Sequence, residues 1–391
     1  MYLHDQHNSA RIDCEITPTS NIAWRVDYKS ERNTSEGPII TTPVIYRNKV
    51  FLLLDDGFIR ALDLDDGSEI WENQLERGHV FGSSLCASEG NVYYGDWFFM
   101  YASSVEGRQE LCPYPEGRPE LYPIPDEKEI SVITPMIPGR DALYFATNSD
   151  DGSHLRSMSM KDAHPVWKSE VLKGGSQYRN APCIANGRIY LASGGGLDGS
   201  QYIYCIDQDN GRIMWERSTY SMVGAVVFDN DMIYSADGFS LFCLQHEDGE
   251  EVWSSDINGS RNQTPVIIGD RVVVDESSDN DGYGLVCFNK DNGNLLWRTR
   301  TDSQVRTPLV ATSNVIIFGT EKGEIQSVDP KDGSTVHTVR LVRESPGISD
   351  ITLTPKGIAL SKNRVVVTTE EGTIICLGGQ DEASNQPSSH R

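Results

Sequence analysis

The 391-residue chain has little of what usually announces a function. Long apolar runs are missing: Val50–Leu54 and Ile189–Ala192 are among the longest, far short of the ~18–20 residues of a membrane-spanning helix. Basic residues are scarce. Lys and Arg total 34 against 57 Asp and Glu, a formal charge of −23, and such a surface repels nucleic acid and anionic lipid. Lysine is scarcer than arginine, 11 against 23, and an acidic, lysine-poor composition points to a source adapted to high salt. No HExxH, CxxC, Gly-x-Ser-x-Gly or phosphate-binding loop occurs, and no two of the eight histidines have metal-helix spacing. The N-terminus has no basic segment leading into an apolar core, so no secretory signal is read and a cytoplasmic location is expected, with an exported one as the alternative if the N-terminus was processed.

What is present is a repeat. A small residue, an apolar residue and an Asp-like residue lead after three positions to Gly and after three more to Trp. Ala61-Leu62-Asp63 leads to Gly67 and Trp71, Cys205-Ile206-Asp207 to Gly211 and Trp215, and Cys243-Leu244-Gln245 to Gly249 and Trp253. Cys287-Phe288-Asn289 leads to Gly293 and Trp297. Ser327-Val328-Asp329 leads to Gly333 with His337 in the Trp place, Ser157 leads to Ala163 and Trp167, and a weak copy carries Gly107 and Leu111. The unit is about 40–48 residues, the length of a four-stranded propeller blade. Thr-Pro pairs such as Thr42-Pro43 and Thr307-Pro308 start a first strand, where proline removes no ladder donor. β-Branched and aromatic runs such as Val272–Val274 form the second strand. Turns such as Asp209-Asn210-Gly211 divide the third strand from the fourth.

The last unit has three strands, read at Ile351–Thr354, Val365–Thr368 and Thr373–Leu377, and then a polar tail. The missing fourth strand lies at the other end, around Trp24, 47 residues before Trp71. The expectation is an all-β, eight-bladed propeller of four-stranded antiparallel blades, closed by an N-terminal strand that completes the last blade. Residues 1–20 are expected to form a weakly ordered extension, 21–379 the propeller and 380–391 a disordered tail.

The small-x-Asp-x-x-x-Gly-x-x-x-Trp pattern resembles the PQQ-like repeat, the tryptophan-docking motif of quinoprotein-type propellers, over roughly residues 21–379. The resemblance implies that Trp24, Trp71, Trp167, Trp215, Trp253 and Trp297 dock on neighbouring blades, against motif glycines such as Gly67, Gly211, Gly249 and Gly293. It is closer to BamB-like propellers, which assemble with partner proteins, than to quinoprotein dehydrogenases. The alcohol-dehydrogenase branch typically has adjacent cysteines beside its quinone, and no Cys-Cys occurs here. No lipoprotein signal with a lipid-accepting cysteine is read either.

Of the eight cysteines, Cys205, Cys243, Cys287 and Cys376 share one strand position and Cys86 and Cys183 another, so they read as buried free thiols suited to a reducing compartment. Acidic turns such as Asp63–Gly67 and Asp279–Gly282 are too short for a calcium loop. No catalytic or metal residue is assigned. Ligand-binding residues are expected before the first strands, where the chain crosses toward the channel: Arg179, Asn180, Arg261, Gln263, Gln304 and Arg306, a positive funnel for an anionic ligand or acidic peptide. Connections between second and third strands are lengthened at Ser149–His154, Gly194–Gln201 and Ser277–Tyr283, and Cys112–Pro125 is a proline-rich link. The expected function is a non-catalytic scaffold for a protein or peptide partner, as a monomeric ring or part of a hetero-complex, with no cofactor. The alternatives are an oxidoreductase-like enzyme holding a quinone, such as PQQ with calcium, or a sugar in the channel, and a small-ligand sensor.

Overall fold

In the computed structural model the described residues are 11–29, 38, 41–74, 85–95, 99–107, 122–123, 131–132, 134–149, 152–161, 164–173, 181–193, 201–219, 221, 223–260, 264–278, 282–343, 351–361 and 363–380. Every regular element among them is a strand. Blade 1 runs Val44–Tyr46, Lys49–Leu53, Phe58–Asp63 and Glu69–Gln74, each strand antiparallel to the one before. The same order recurs in blade 4 from Cys183 to Thr219, blade 5 from Val227 to Asp256, blade 6 from Val266 to Thr301 and blade 7 from Val310 to Arg340. Blade 2 runs from Leu85 to Pro123. In blade 3, Ser131–Val132 and Ile137–Pro138 both pair with Ala142–Ser149, so its first strand is split. First strands pack on one another around the axis between blades 1 and 2, 2 and 3, 4 and 5, 6 and 7, 7 and 8, and 8 and 1.

Blade 8 is built from both ends of the chain. Its first three strands are Pro355–Ser361, Arg364–Thr369 and Thr373–Gln380, and the N-terminal strand Thr17–Asp27 pairs antiparallel with the last, Trp24 opposite Cys376. The expected first strand at 351–354 lies elsewhere. Ile351–Thr352 pairs with Val342–Arg343 in a separate two-stranded ribbon, because Leu353 turns into the core and the blade strand starts at Pro355. The chain before Thr17 also follows blade 7: Ile12 N–H donates to the Ala311 carbonyl, and Ile16 is fully buried. The lengthened connections of blades 3 and 6 are longer strands. Ala142–Ser149 and Gly152–Ser159 leave only 150–151 between them, and Arg271–Ser278 and Gly282–Asn289 leave 279–281. Connection 194–200 lies outside the described residues.

Adjacent sheets are joined by one contact repeated around the ring. The tryptophan on each outer strand lies on the turn of the next blade: Trp24 on Gly67, Trp71 on Gly107, Trp167 on Gly211, Trp215 on Gly249, Trp253 on Gly293 and Trp297 on Gly333. Each indole N–H donates to a carbonyl of that turn, at 2.7 Å (Leu64), 3.0 Å (Val105), 3.0 Å (Gln208), 3.2 Å (His246), 3.0 Å (Lys290) and 2.9 Å (Pro330). Within its own blade each tryptophan faces the small residue in register: Ala61, Ser157, Cys205, Cys243 and Cys287 oppose Trp71, Trp167, Trp215, Trp253 and Trp297. The small residue lets the indole reach the aromatic ring one strand further in. Phe51, Tyr144, Tyr190 and Tyr234 meet their tryptophans at 5.8–6.1 Å between ring centroids.

Two outcomes follow from this packing. Removing residues 1–30 strips the fourth strand from blade 8 and leaves the Thr373–Gln380 edge bare, so the truncated chain is expected to aggregate or to unfold without cooperativity in urea. A second test separates docking from backbone strain. Gly249 and Gly187 have nearly the same φ, +75° and +72°, but a Cβ at Gly249 would meet the Trp215 ring at 2.8 Å and one at Gly187 would meet nothing within 4 Å. Gly187→Ala should cost roughly 1–2 kcal/mol, the left-handed penalty alone. Gly249→Ala should cost roughly 1–3 kcal/mol more, and that excess should vanish in a Trp215→Ala background when denaturation midpoints are compared.

Candidate functional site

Antiparallel four-stranded blades put the two kinds of connection on opposite faces. The tight turns after first and third strands share one face. The connections after second and fourth strands share the other, which carries Gln304 and Arg306 of the residues the sequence marks for ligand binding. Arg179, Asn180, Arg261 and Gln263 lie outside the described residues. Gln304 and Arg306 lie between blades 6, 7 and 8 as inter-blade ties. The Gln304 amide is buried and donates to Ser277 Oγ of blade 6 at 2.8 Å, and Arg306 Nη2 donates to Glu370 Oε1 of blade 8 at 3.0 Å. The same mouth holds buried acids with assigned donors. Glu276 takes the Asn258 N–H at 3.0 Å and the Arg298 guanidinium at 3.1 Å, and Asp275 takes the Ser260 hydroxyl at 2.7 Å.

Threonines entering the first strands serve the same edge. Thr134 Oγ1 accepts the Ala146 N–H at 2.8 Å and Thr307 Oγ1 the Gly319 N–H at 2.8 Å, satisfying amides beyond the end of the ladder. The acidic turns on the opposite face spend their acceptors on their own backbone. Asp63 Oδ1 takes the Asp65 N–H at 2.7 Å and Asp66 Oδ1 the Ser68 N–H at 2.8 Å, and the Ser68 hydrogen bonds hold the Asp66 carboxyl below the usual range. Among the described residues no three His, Cys, Asp or Glu side chains are grouped to hold a metal ion.

One feature carries no motif. Between blades 3 and 4, on the tight-turn face, lies a cleft of about 680 Å³ bordered by Asp141, Tyr144, Ser157, Trp167, Gln208 and Asp209. Ala142 stands there in the register where blades 1, 4, 6 and 8 carry Lys49, Arg188, Arg271 and Arg364 and blades 2 and 5 carry Asn91 and Met232.

With this geometry described, known proteins can be set beside it. A family model described as outer membrane protein assembly factor BamB matches residues 199–384. The outer membrane protein assembly factor BamB of Salmonella typhimurium is 25% identical over 328 residues, 70% of this chain and 81% of that protein. Among solved structures, BamB from Moraxella catarrhalis superposes with a TM-score of 0.65 at 14% identity, covering 93% of this chain and 100% of that one. A europium-containing methanol dehydrogenase does so with a TM-score of 0.70 at 12% identity, covering 94% and 88%, a likeness of fold alone.

The expectation of a cytoplasmic location is overturned, because the sequence relatives are outer membrane protein assembly factors. The thiol argument behind it also loses its force. Cys86, Cys183, Cys205, Cys243, Cys287 and Cys376 are buried and in no disulfide, and burial pushes the thiols of Cys86, Cys287 and Cys376 to about 12 and those of Cys205 and Cys243 to about 11. Such thiols stay reduced by inaccessibility, whatever the compartment. With a thiol reagent at pH 8, these six are expected to react only on unfolding, leaving at most Cys14 and Cys112 to label in the native protein; fast labelling of more than two would contradict the packing. The docked tryptophans and the comparisons together make the chain a PQQ-like-repeat β-propeller, closer in sequence to the BamB-like propellers than to the quinoprotein dehydrogenases.

Proposed function

We propose that this propeller is a non-catalytic scaffold that binds a protein or peptide partner and acts in the assembly of other proteins. The observation that carries the reading is the sequence match across 81% of the length of an assembly factor. The architecture supports it, since a closed ring of docked sheets offers two fixed faces, and protein recognition needs no reacting group. The proposed contact face is the one bearing the inter-blade connections. Arg179, Asn180, Arg261 and Gln263 supply its cationic and amide groups toward an acidic segment of the partner. Gln304 and Arg306 of the same face are fixed by Ser277 and Glu370. The surplus of carboxylates elsewhere is proposed to keep the ring soluble in a salt-rich medium.

The test joins capture to a search for chemistry. The tagged full chain, cross-linked at native salt in extract of its source cell, should retain a defined protein. Arg179→Glu with Arg261→Glu should reduce that retention about tenfold or more without lowering the denaturation midpoint, as expected for charge reversal at an interface. In parallel, PQQ and calcium are titrated and dye-coupled alcohol oxidation is followed. Saturable quinone binding with turnover would replace the scaffold reading by an enzymatic one.

A further inference from the structure

On the tight-turn face a lysine or arginine bridges three of the tryptophan-docked grooves, and the groove between blades 3 and 4 has no such bridge among the described residues. Between blades 4 and 5, Arg188 opens the second strand and reaches the next blade's turn, donating from Nη1 to the His246 carbonyl at 2.6 Å and the Glu247 carbonyl at 2.9 Å. Between blades 1 and 2, Lys49 Nζ meets Glu106 Oε1 at 3.1 Å. Between blades 5 and 6 the cation comes from the turn itself, Lys290 reaching back to Asp229. Arg271 and Arg364 hold the Arg188 register in blades 6 and 8, where they bond their own neighbours, Asp270 and the Asn363 carbonyl. Each also lies near its own blade's thiol, Cys287 or Cys376, as Arg188 lies near Cys205.

Blade 3 has Ala142 in that register, opposite Ser159, and the space is the 680 Å³ cleft. Its acceptors remain. Gln208 and Asp209 stand in the turn where His246 and Glu247 stand one blade on. Ser157 occupies the thiol position opposite Trp167. It is 2% exposed and borders the cleft, and among the described residues its Oγ has no hydrogen-bond partner. Arg140 also borders the cleft but is exposed, and makes no hydrogen bond there to Ser157, Gln208 or Asp209 among the described residues.

We propose that the cleft between blades 3 and 4 is a socket for a guanidinium group, supplied by an arginine side chain of a partner polypeptide. A guanidinium has a planar fork of five donors and no acceptor, which suits a site offering a hydroxyl, main-chain carbonyls and a carboxylate. The Trp167 ring at the border adds a face on which such a cation stacks. The site lies on the face opposite the proposed partner-binding connections and does not depend on that reading.

The experiment titrates the full chain by calorimetry with a capped Gly-Arg-Gly peptide, its citrulline and lysine counterparts, and N-acetyl-arginine amide. The arginine peptide should bind with one equivalent. Citrulline keeps the shape without the charge and should bind at least about tenfold more weakly, the loss expected for a charge-assisted hydrogen bond. Lysine should also bind more weakly. Binding of the peptide more tightly than the amide supports a polypeptide source; equal affinity overturns that source in favour of a small guanidinium compound. Ala142→Arg places the chain's own guanidinium in the socket and should abolish binding while keeping the thermal midpoint. Ser157→Ala and Asp209→Asn should each weaken binding several-fold, and they carry the test if Ala142→Arg does not fold. Equal binding of arginine and citrulline peptides, or undiminished binding by folded Ala142→Arg, would overturn the proposal.

Discussion

The ring depends on an indole laid flat on a glycine peptide. The contact requires three things at once. The turn residue must lack a Cβ, because one at Gly67 or Gly293 would sit 2.6 Å from the docked ring. The turn must present a carbonyl to the indole N–H, as Leu64 and Lys290 do. The residue beside the tryptophan in its own sheet must be small, so that the ring can lie between its own blade and the next. Cysteine meets the last condition as well as alanine or serine does, which explains four buried thiols on equivalent strands without redox or metal chemistry. The β-bulge after the small residue is the backbone counterpart. It recurs at Ala61/Leu62, Ser157/Met158, Cys205/Ile206, Cys243/Leu244 and Cys287/Phe288, where the outer strand takes one extra residue to bring the tryptophan into place.

Two units depart from the rule. In blade 2 the outer strand is Tyr122–Pro123, well past Leu111, so the expected placing of Leu111 in a docking position does not hold. His337 has a different cause. The blade after it is the composite one, whose third and fourth strands come from opposite ends of the chain, so no turn joins Thr373–Gln380 to Thr17–Asp27. With no turn peptide to cover, a tryptophan has no surface to dock on. The Nε2 of His337 finds no hydrogen-bond partner among the described residues. Closure is carried instead by strand pairing, and Trp24 continues the docking series onto blade 1.

How far the sequence can be read follows from which interactions are local. Blade number, strand order and closure were legible because each unit repeats one spacing, and Trp24 at one repeat length before Trp71 betrays the strand that crosses the chain ends. The start of blade 8 was misread because Ile351–Thr352 has the composition of a strand and is one, but in a ribbon outside the blade. The lengthened connections were read as loops because composition does not show where pairing stops, and Ser149 and Gly152 still pair. Compartment was the least legible: it was read from the lack of a secretory signal and from free thiols, and thiols kept reduced by burial carry no record of redox conditions. The cleft went unseen because its signal is an absence at one register position, visible only after the blades are aligned strand by strand.

That last point bears on how a ring of equivalent parts acquires a distinct site. Each groove has the same backbone, so the acceptors on each turn recur whether or not a donor meets them. In an acidic protein such acceptors attract cations, and three of the docked grooves answer with a lysine or arginine of their own. Losing that side chain leaves the backbone unchanged, because strand pairing and the indole hold the groove open: Trp167 keeps its 3.0 Å bond to the Gln208 carbonyl beside Ala142. A shortening of one residue therefore turns a structural ion site into an open one without rebuilding the fold. The rigidity that the docked tryptophans give the ring makes such a vacancy persist as a shaped cleft instead of collapsing.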